Sequence, residues 1–181
     1  GLYHIRVHDS IYRGRDDFVY RITVGELPFL TGISPLGATA GEKIEITFQG
    51  GNLGTEFKQK YEAPAQAGIT LLHATVGGLR SNSIPFHIDT VSQEREREPN
   101  AGLGSAQELK PPVIVNGRIE TTGDADFYRV KGRGNHEMIF EIFARRLGSP
   151  VDASLTVFDN DGNQIAFNDD LGIGLSSRVS L

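Results

Sequence analysis

Between two segments of alternating apolar residues lies the run E-R-E-R-E-P-N, from Glu94 to Asn100. In an extended segment, side chains two residues apart project to the same side. Glu96 and Glu98 would therefore face one way, and Pro99 biases Glu98 toward that extended geometry. Asn100 adds an amide oxygen. Calcium takes six to eight oxygen ligands from carboxylates, amides and main-chain carbonyls, so the run could supply part of such a shell. The competing reading is a solvated linker in which Arg95 and Arg97 neutralise the glutamates between them.

Other stretches carry weaker chemistry. D-N-D-G-N, Asp159 to Asn163, imitates the start of an EF-hand loop but lacks the downstream glutamate, and Asp-Gly between alternating strands is a common hairpin turn. N-D-D, Asn168 to Asp170, reads as a further acidic turn. His4 and His8 share a strand face, but four residues of strand separate them by about 13 Å, too far for one small ion. His73, His87 and His136 have no partner suggested by spacing. The zinc-peptidase, nucleophile-elbow and phosphate-loop motifs do not occur, so catalysis is not expected.

The 181 residues carry 18 basic and 23 acidic side chains, for a net charge of −5. No basic cluster suited to phosphate backbones stands out, which argues against a nucleic-acid partner. Without cysteine, disulfide frameworks, thiolate metal sites and cysteine nucleophiles are excluded. No apolar run approaches the roughly 20 residues of a membrane-spanning helix, so no membrane insertion is expected. Gly1 opens onto a strand-like pattern and Leu181 ends inside one. The chain is expected to be a piece of a longer polypeptide with further domains.

The elements that would position these residues are strands. Dispersed Gly and Pro punctuate short runs of period-two alternation, the pattern of an all-β chain. Tyr3, Ile5 and Val7, then Phe18, Tyr20, Ile22 and Val24, predict a hairpin over residues 1–25. Ile44, Ile46 and Phe48 predict a strand with one wet face, and Ile69–Val76 and Ser83–Ile88 two more, although Leu71–Leu72 would also allow a brief helix. Beyond the charged run, P-V-I-V-N-G-R-I, D-F-Y-R-V-K-G, E-M-I-F-E-I-F-A, A-S-L-T-V-F-D and N-Q-I-A-F-N-D follow one another as short strands.

Two family resemblances emerge. P-x-x-x-x-I-S-P-x-x-x-x-x-G at Pro28 to Gly41, G-x-N-L-G at Gly50 to Gly54 and R-S-N-S-I-P-F at Arg80 to Phe86 together resemble an IPT/TIG immunoglobulin-like domain. E-x-E-P-N at Glu96 to Asn100 leads a second series. It continues with N-G-x-I at Asn116 to Ile119, G-D-x-D-F-Y at Gly123 to Tyr128 and L-G-S-P-x-D at Leu147 to Asp152. L-T-V-F-D-x-D-G-N at Leu155 to Asn163 and N-D-D close it. This series resembles the bacterial pre-peptidase C-terminal (PPC) domain, a β-sandwich appended to secreted enzymes and envelope proteins.

The resemblances imply two β-sandwich domains: an Ig-like one over 26–90 and a PPC-like jelly-roll over 112–181, joined by a linker and entry segment at 91–111. Residues 1–25 resemble the closing strands of a PPC-like sandwich, either belonging to a preceding copy or sealing the 112–181 sheets of this one. The second arrangement is the expectation, because an open sheet edge is costly to leave exposed. The PPC resemblance also implies that Asp124 and Asp126 join Glu96, Glu98 and Asn100 at a calcium site. The usual motif would place an aspartate at position 101, where this chain has Ala101.

The expected role is a non-catalytic spacer or binding module of an exported bacterial protein, secreted, periplasmic or at the cell surface. Its expected contacts are protein or polysaccharide of the envelope or extracellular matrix. The alternatives are an accessory substrate-capture domain of a secreted peptidase or other hydrolase, and a structural repeat without a ligand.

Overall fold

The computed structural model describes residues 1–169 and the backbone of Arg178–Ser180. Its ordered elements are β-strands, with one short 3-10 turn at Arg145–Leu147. The all-β expectation is met, and Leu71–Leu72 lie in strand, not helix. No helix among the described residues is long and apolar enough to cross a membrane.

The first half is a sandwich of two three-stranded sheets. One has the order β1 (Phe29–Ser34), β3 (Lys43–Gly51), β4 (Phe57–Glu62), all antiparallel. The other has the order β2 (Gly37–Thr39), β6 (Leu79–Asp89), β5 (Gly68–Val76), with β2 parallel to β6. Alternation sends one side chain in two inward. Leu30, Ile33, Ile46 and Phe48 from the first sheet thus meet Leu72, Ala74, Ile84, Phe86 and Ile88 from the second in one buried core. Tyr61 and Phe86 lock the layers edge to face, with ring centroids 5.4 Å apart.

The turn-rich motifs have specific tasks here. Asn82 joins the two sheets: its Oδ1 accepts from Leu30 N at 2.6 Å, and its Nδ2 donates to Leu30 O at 2.9 Å. Asn52 adopts the left-handed conformation that asparagine tolerates (φ 57°) and donates to Leu27 O at 2.9 Å, while Leu53 beside it is buried. Gly50 is obligatory for space, since a Cβ there would run into the Phe29 carbonyl.

The second half is built from two-stranded ribbons. β7 (Gln93–Arg95) runs parallel to β9 (Ile114–Asn116), and β8 (Gln107–Leu109) runs parallel to β10 (Tyr128–Val130). β11 (Ile139–Glu141) pairs with β14 (Arg178–Ser180), and β12 (Leu155–Phe158) with β13 (Gln164–Asn168), both antiparallel. These strands are three to five residues long. Among the described residues the buried apolar side chains here are Leu109, Ala144 and Leu147, while Ile139, Ile165 and Phe167 stay about half exposed. Among the described residues these strands stand as four two-stranded pairs.

Residues 1–25, expected to seal those sheets, form no strand pair with them among the described residues. No strand forms before Phe29, and Leu2, Tyr3, Ile5, Tyr20 and Val24 are exposed. Among the described residues the hydrogen bonds of this segment are local. Asp9 accepts from the backbone and side chain of Arg13, Arg15 pairs with Asp17, and both arginines lie over the Phe18 ring. Alternation makes a segment fit for a sheet, but it becomes a strand only where an edge and a covering layer are supplied.

Candidate cation site

The charged run is held extended by a side chain distant in sequence. Gln107, itself buried, accepts from Arg97 N at 2.7 Å through Oε1 and donates to Arg95 O at 3.2 Å through Nε2. Gln107 thus stands in for a neighbouring strand and fixes Glu96 and Glu98 on the adjoining segment. One arginine neutralises a glutamate within the run and the other turns outside it. Arg97 pairs with Glu94 at 3.6 Å, and Arg95 reaches the Glu45 carbonyl at 3.2 Å.

Glu96, Glu98 and Asp126 converge, each offering a carboxylate oxygen within 4.8 Å of the others. Glu96 is positioned through Oε2, which accepts from Arg118 N at 2.6 Å, and Glu98 through Oε2, which accepts from Asn100 N at 2.8 Å. Asp126 arrives on the segment leading into β10. Its neighbour Phe127 donates its amide to Asn100 O at 2.9 Å.

Asn100 is 0% exposed, yet neither its side-chain oxygen nor its nitrogen has a hydrogen-bond partner. Its amide faces the Asp126 carboxylate closely enough to favour the ionised form, short of full hydrogen-bond geometry. Asp126 Oδ1 is buried and unpartnered as well. Buried polar atoms normally have partners, so each exception asks for an explanation such as an ion. Gly117 forms one wall. A Cβ there would clash with Glu96 Oε2 and come within 2.9 Å of the Tyr128 hydroxyl and 3.5 Å of Asp126 Oδ2.

Of the five residues expected at this site, Glu96, Glu98 and Asp126 bring carboxylate oxygens together, and the Asn100 side chain lies beside Asp126. Asp124 stands outside the triad, its Oδ2 accepting from Glu120 N at 2.7 Å across a tight turn. It still adds negative charge to the group. Sequence reasoning missed Gln107, Gly117 and Tyr128. Of these, only Gly117 and Tyr128 lay within quoted motifs, and nothing in their spacing marked a role.

The electrostatics follow from crowding acids in a desolvated place. Burial, then the charges of Glu96, Asp124 and Glu98, push the Asp126 carboxyl up to about 6. Burial raises Glu96 too, against the Arg118 amide, with Glu98, Glu120 and Asp124 adding to the rise. The Tyr128 hydroxyl is raised by burial and by the carboxylates of Asp126, Glu96 and Glu98.

A carboxyl whose folded pKa exceeds its unfolded value binds more protons folded than unfolded between the two, so stability falls as pH rises through that window. With a chelator present, the urea midpoint should therefore drop between about pH 4 and pH 7 from this contribution. Asp126→Asn should flatten that slope. A slope unchanged by the substitution would show that Asp126 is not the strained group.

The D-N-D-G-N run is a turn, as favoured from sequence. Asp159 accepts from the side chain and backbone of Asn163 at 3.0 and 2.8 Å and from Asp161 N at 2.9 Å, closing β12 onto β13. Those bonds, the Asn163 side chain first, hold the Asp159 carboxyl below its usual range. Of N-D-D, Asp170 lies outside the described residues. His8 stacks on Tyr12 and His87 on Phe143. No protein-family model matches the chain, and comparison with curated proteins and with solved structures gives no match either.

Proposed function

We propose that this chain is a non-catalytic β module of a larger exported bacterial protein, and that its charged linker binds calcium. The observation that carries this reading is the meeting of Glu96, Glu98 and Asp126 around a fully buried, unpartnered Asn100. The donors are all oxygen, which suits a hard cation such as calcium better than zinc or copper. Bound there, the cation would be held by these four residues, would cancel their mutual repulsion and would stiffen the linker. Domains of IPT/TIG and PPC type, as the motifs resemble, suit a spacer that presents loops to envelope or matrix protein or polysaccharide. A substrate-capture accessory of a secreted hydrolase would use the same scaffold.

A ligand that binds only the folded chain raises its stability by about 2.7 kcal/mol at a hundredfold excess over the dissociation constant. For a chain of this size that corresponds to a rise of about 5–10 °C in the melting midpoint. The test compares melting in millimolar calcium with melting in chelator. Coincident curves would remove the cation from the proposal.

A further inference from the structure

Two partners in the β7–β9 ribbon join the acidic cluster to the first sandwich: Arg95, which reaches the Glu45 carbonyl at 3.2 Å, and Asn116, whose contacts run deeper into the fold. Asn116 ends β9, opposite Arg95 in the parallel ribbon. Its carbonyl accepts the amide of Glu96 at 3.1 Å, and two residues on, Arg118 N donates to the Glu96 carboxylate at 2.6 Å. The Asn116 side chain points the other way along the chain of contacts. Its Oδ1 accepts from Leu36 N at 3.1 Å, and its Nδ2 donates to Gln93 Oε1 at 2.8 Å. Leu36 is itself tied into the sandwich, because its carbonyl accepts from His87 N at 3.0 Å in the central strand β6. One residue therefore grips a carboxylate-bearing segment with its main chain and the opposite half of the molecule with its side chain.

We infer that Asn116 is the positioning residue through which occupancy of the acidic cluster sets how the first sandwich docks on the second half. This rests on the cation reading and goes beyond it. The second observation behind that site is the buried, unpartnered Asn100. Without a cation, Glu96, Glu98 and Asp126 repel at close range, and the repulsion falls on Glu96, which Asn116 and Arg118 hold in place. A cation among them removes that load, and the fixed Glu96 then fixes Asn116 against Leu36. Coupling of this kind needs an element whose arrangement both ends bias, and the β7–β9 ribbon is that element. A further contact, Phe143 stacked on His87 with centroids 5.5 Å apart, joins the halves independently. It bears on the docking but not on the cluster.

Because the chain has no cysteine, two introduced thiols are its only labelling sites. Spin labels at Lys60→Cys on β4 and Lys131→Cys after β10, in the full chain, report the distance between halves. Calorimetric titration of the same samples reports calcium binding. The expected result is a distance distribution at least twofold narrower in calcium than in chelator. Asn116→Ala should keep calcium affinity within about threefold while its distribution stays broad in both conditions. Should that variant fail to fold, Gln93→Ala, which removes the acceptor orienting the Asn116 amide, is read the same way.

A variant that binds calcium and narrows as the parent does would overturn the role of Asn116. A parent chain that binds calcium without narrowing would overturn the coupling while leaving the cation site standing. A parent chain that takes up no calcium in the calorimeter would overturn both.

Discussion

Replacing Phe86 with alanine is expected to destabilise the chain by about 3–5 kcal/mol, the range for truncating a buried aromatic. Phe86 is 0% exposed on the central strand β6, and its ring meets Tyr61 of the facing sheet edge to face. Ile46 at 0% and Ile88 at 2% exposure pack in the same core, so the hole left behind has little freedom to collapse. The comparison is Phe167→Ala on β13. That ring is half exposed, and its loss should cost about 1 kcal/mol by the area it removes from contact. Urea denaturation of both variants, followed by far-ultraviolet circular dichroism, gives the two numbers under one set of conditions. Equal midpoints would mean that cohesion is not concentrated in the N-terminal sandwich.

That contrast also explains what could be read from sequence. Ile44, Ile46 and Phe48 announced β3 because one face of the strand is buried and the other wet, and a period of two is the direct imprint of that burial. β5 and the inward residues Ile84, Phe86 and Ile88 of β6 were legible for the same reason. The N-terminal extension of β6 through Arg80 to Asn82 was not. It pairs with β5 across the two-residue Gly77–Gly78 turn, both glycines at positive φ, a hairpin signal that the reading of Ser83 as the strand's start passed over. Residues 1–25 show the converse. Tyr3, Ile5, Val7 and Phe18 to Val24 alternate as well as any strand in the chain, yet the described structure gives them no edge to join. Alternation records what a segment could bury, and a partner must be found elsewhere.

The candidate site divides along the same line. Glu96, Glu98 and Asn100 were legible because an extended backbone with a following proline makes neighbours of positions two apart. Asp126 came with the motif around it, which also brought Asp124, a residue the turn at Thr121–Asp124 uses for itself. Gln107 and Asn116 were invisible because their work is done on backbone groups of segments they do not adjoin. A glutamine that replaces a missing strand looks, in sequence, like any surface glutamine.

Gly117→Ala should lower calcium affinity by about 10–100-fold, the usual cost of disturbing the residues around a set of metal ligands. The backbone at Gly117 is not in the left-handed region, so alanine brings no conformational strain there. The conflict is one of space. The new Cβ would occupy the position beside Glu96 Oε2, with the Tyr128 hydroxyl 2.9 Å away and Asp126 Oδ2 3.5 Å away. Glu96 would have to swing aside, give up its bond from Arg118 N and leave the triad. Because that carboxylate is among the groups raised by crowding, its departure should also relieve Asp126, leaving the calcium-free melting midpoint close to that of the parent chain. Gly104→Ala is the control: a Cβ there meets nothing within 4 Å, and affinity should not change. Titration calorimetry of the three proteins decides the matter, since a site elsewhere in the chain would leave Gly117→Ala binding as tightly as Gly104→Ala.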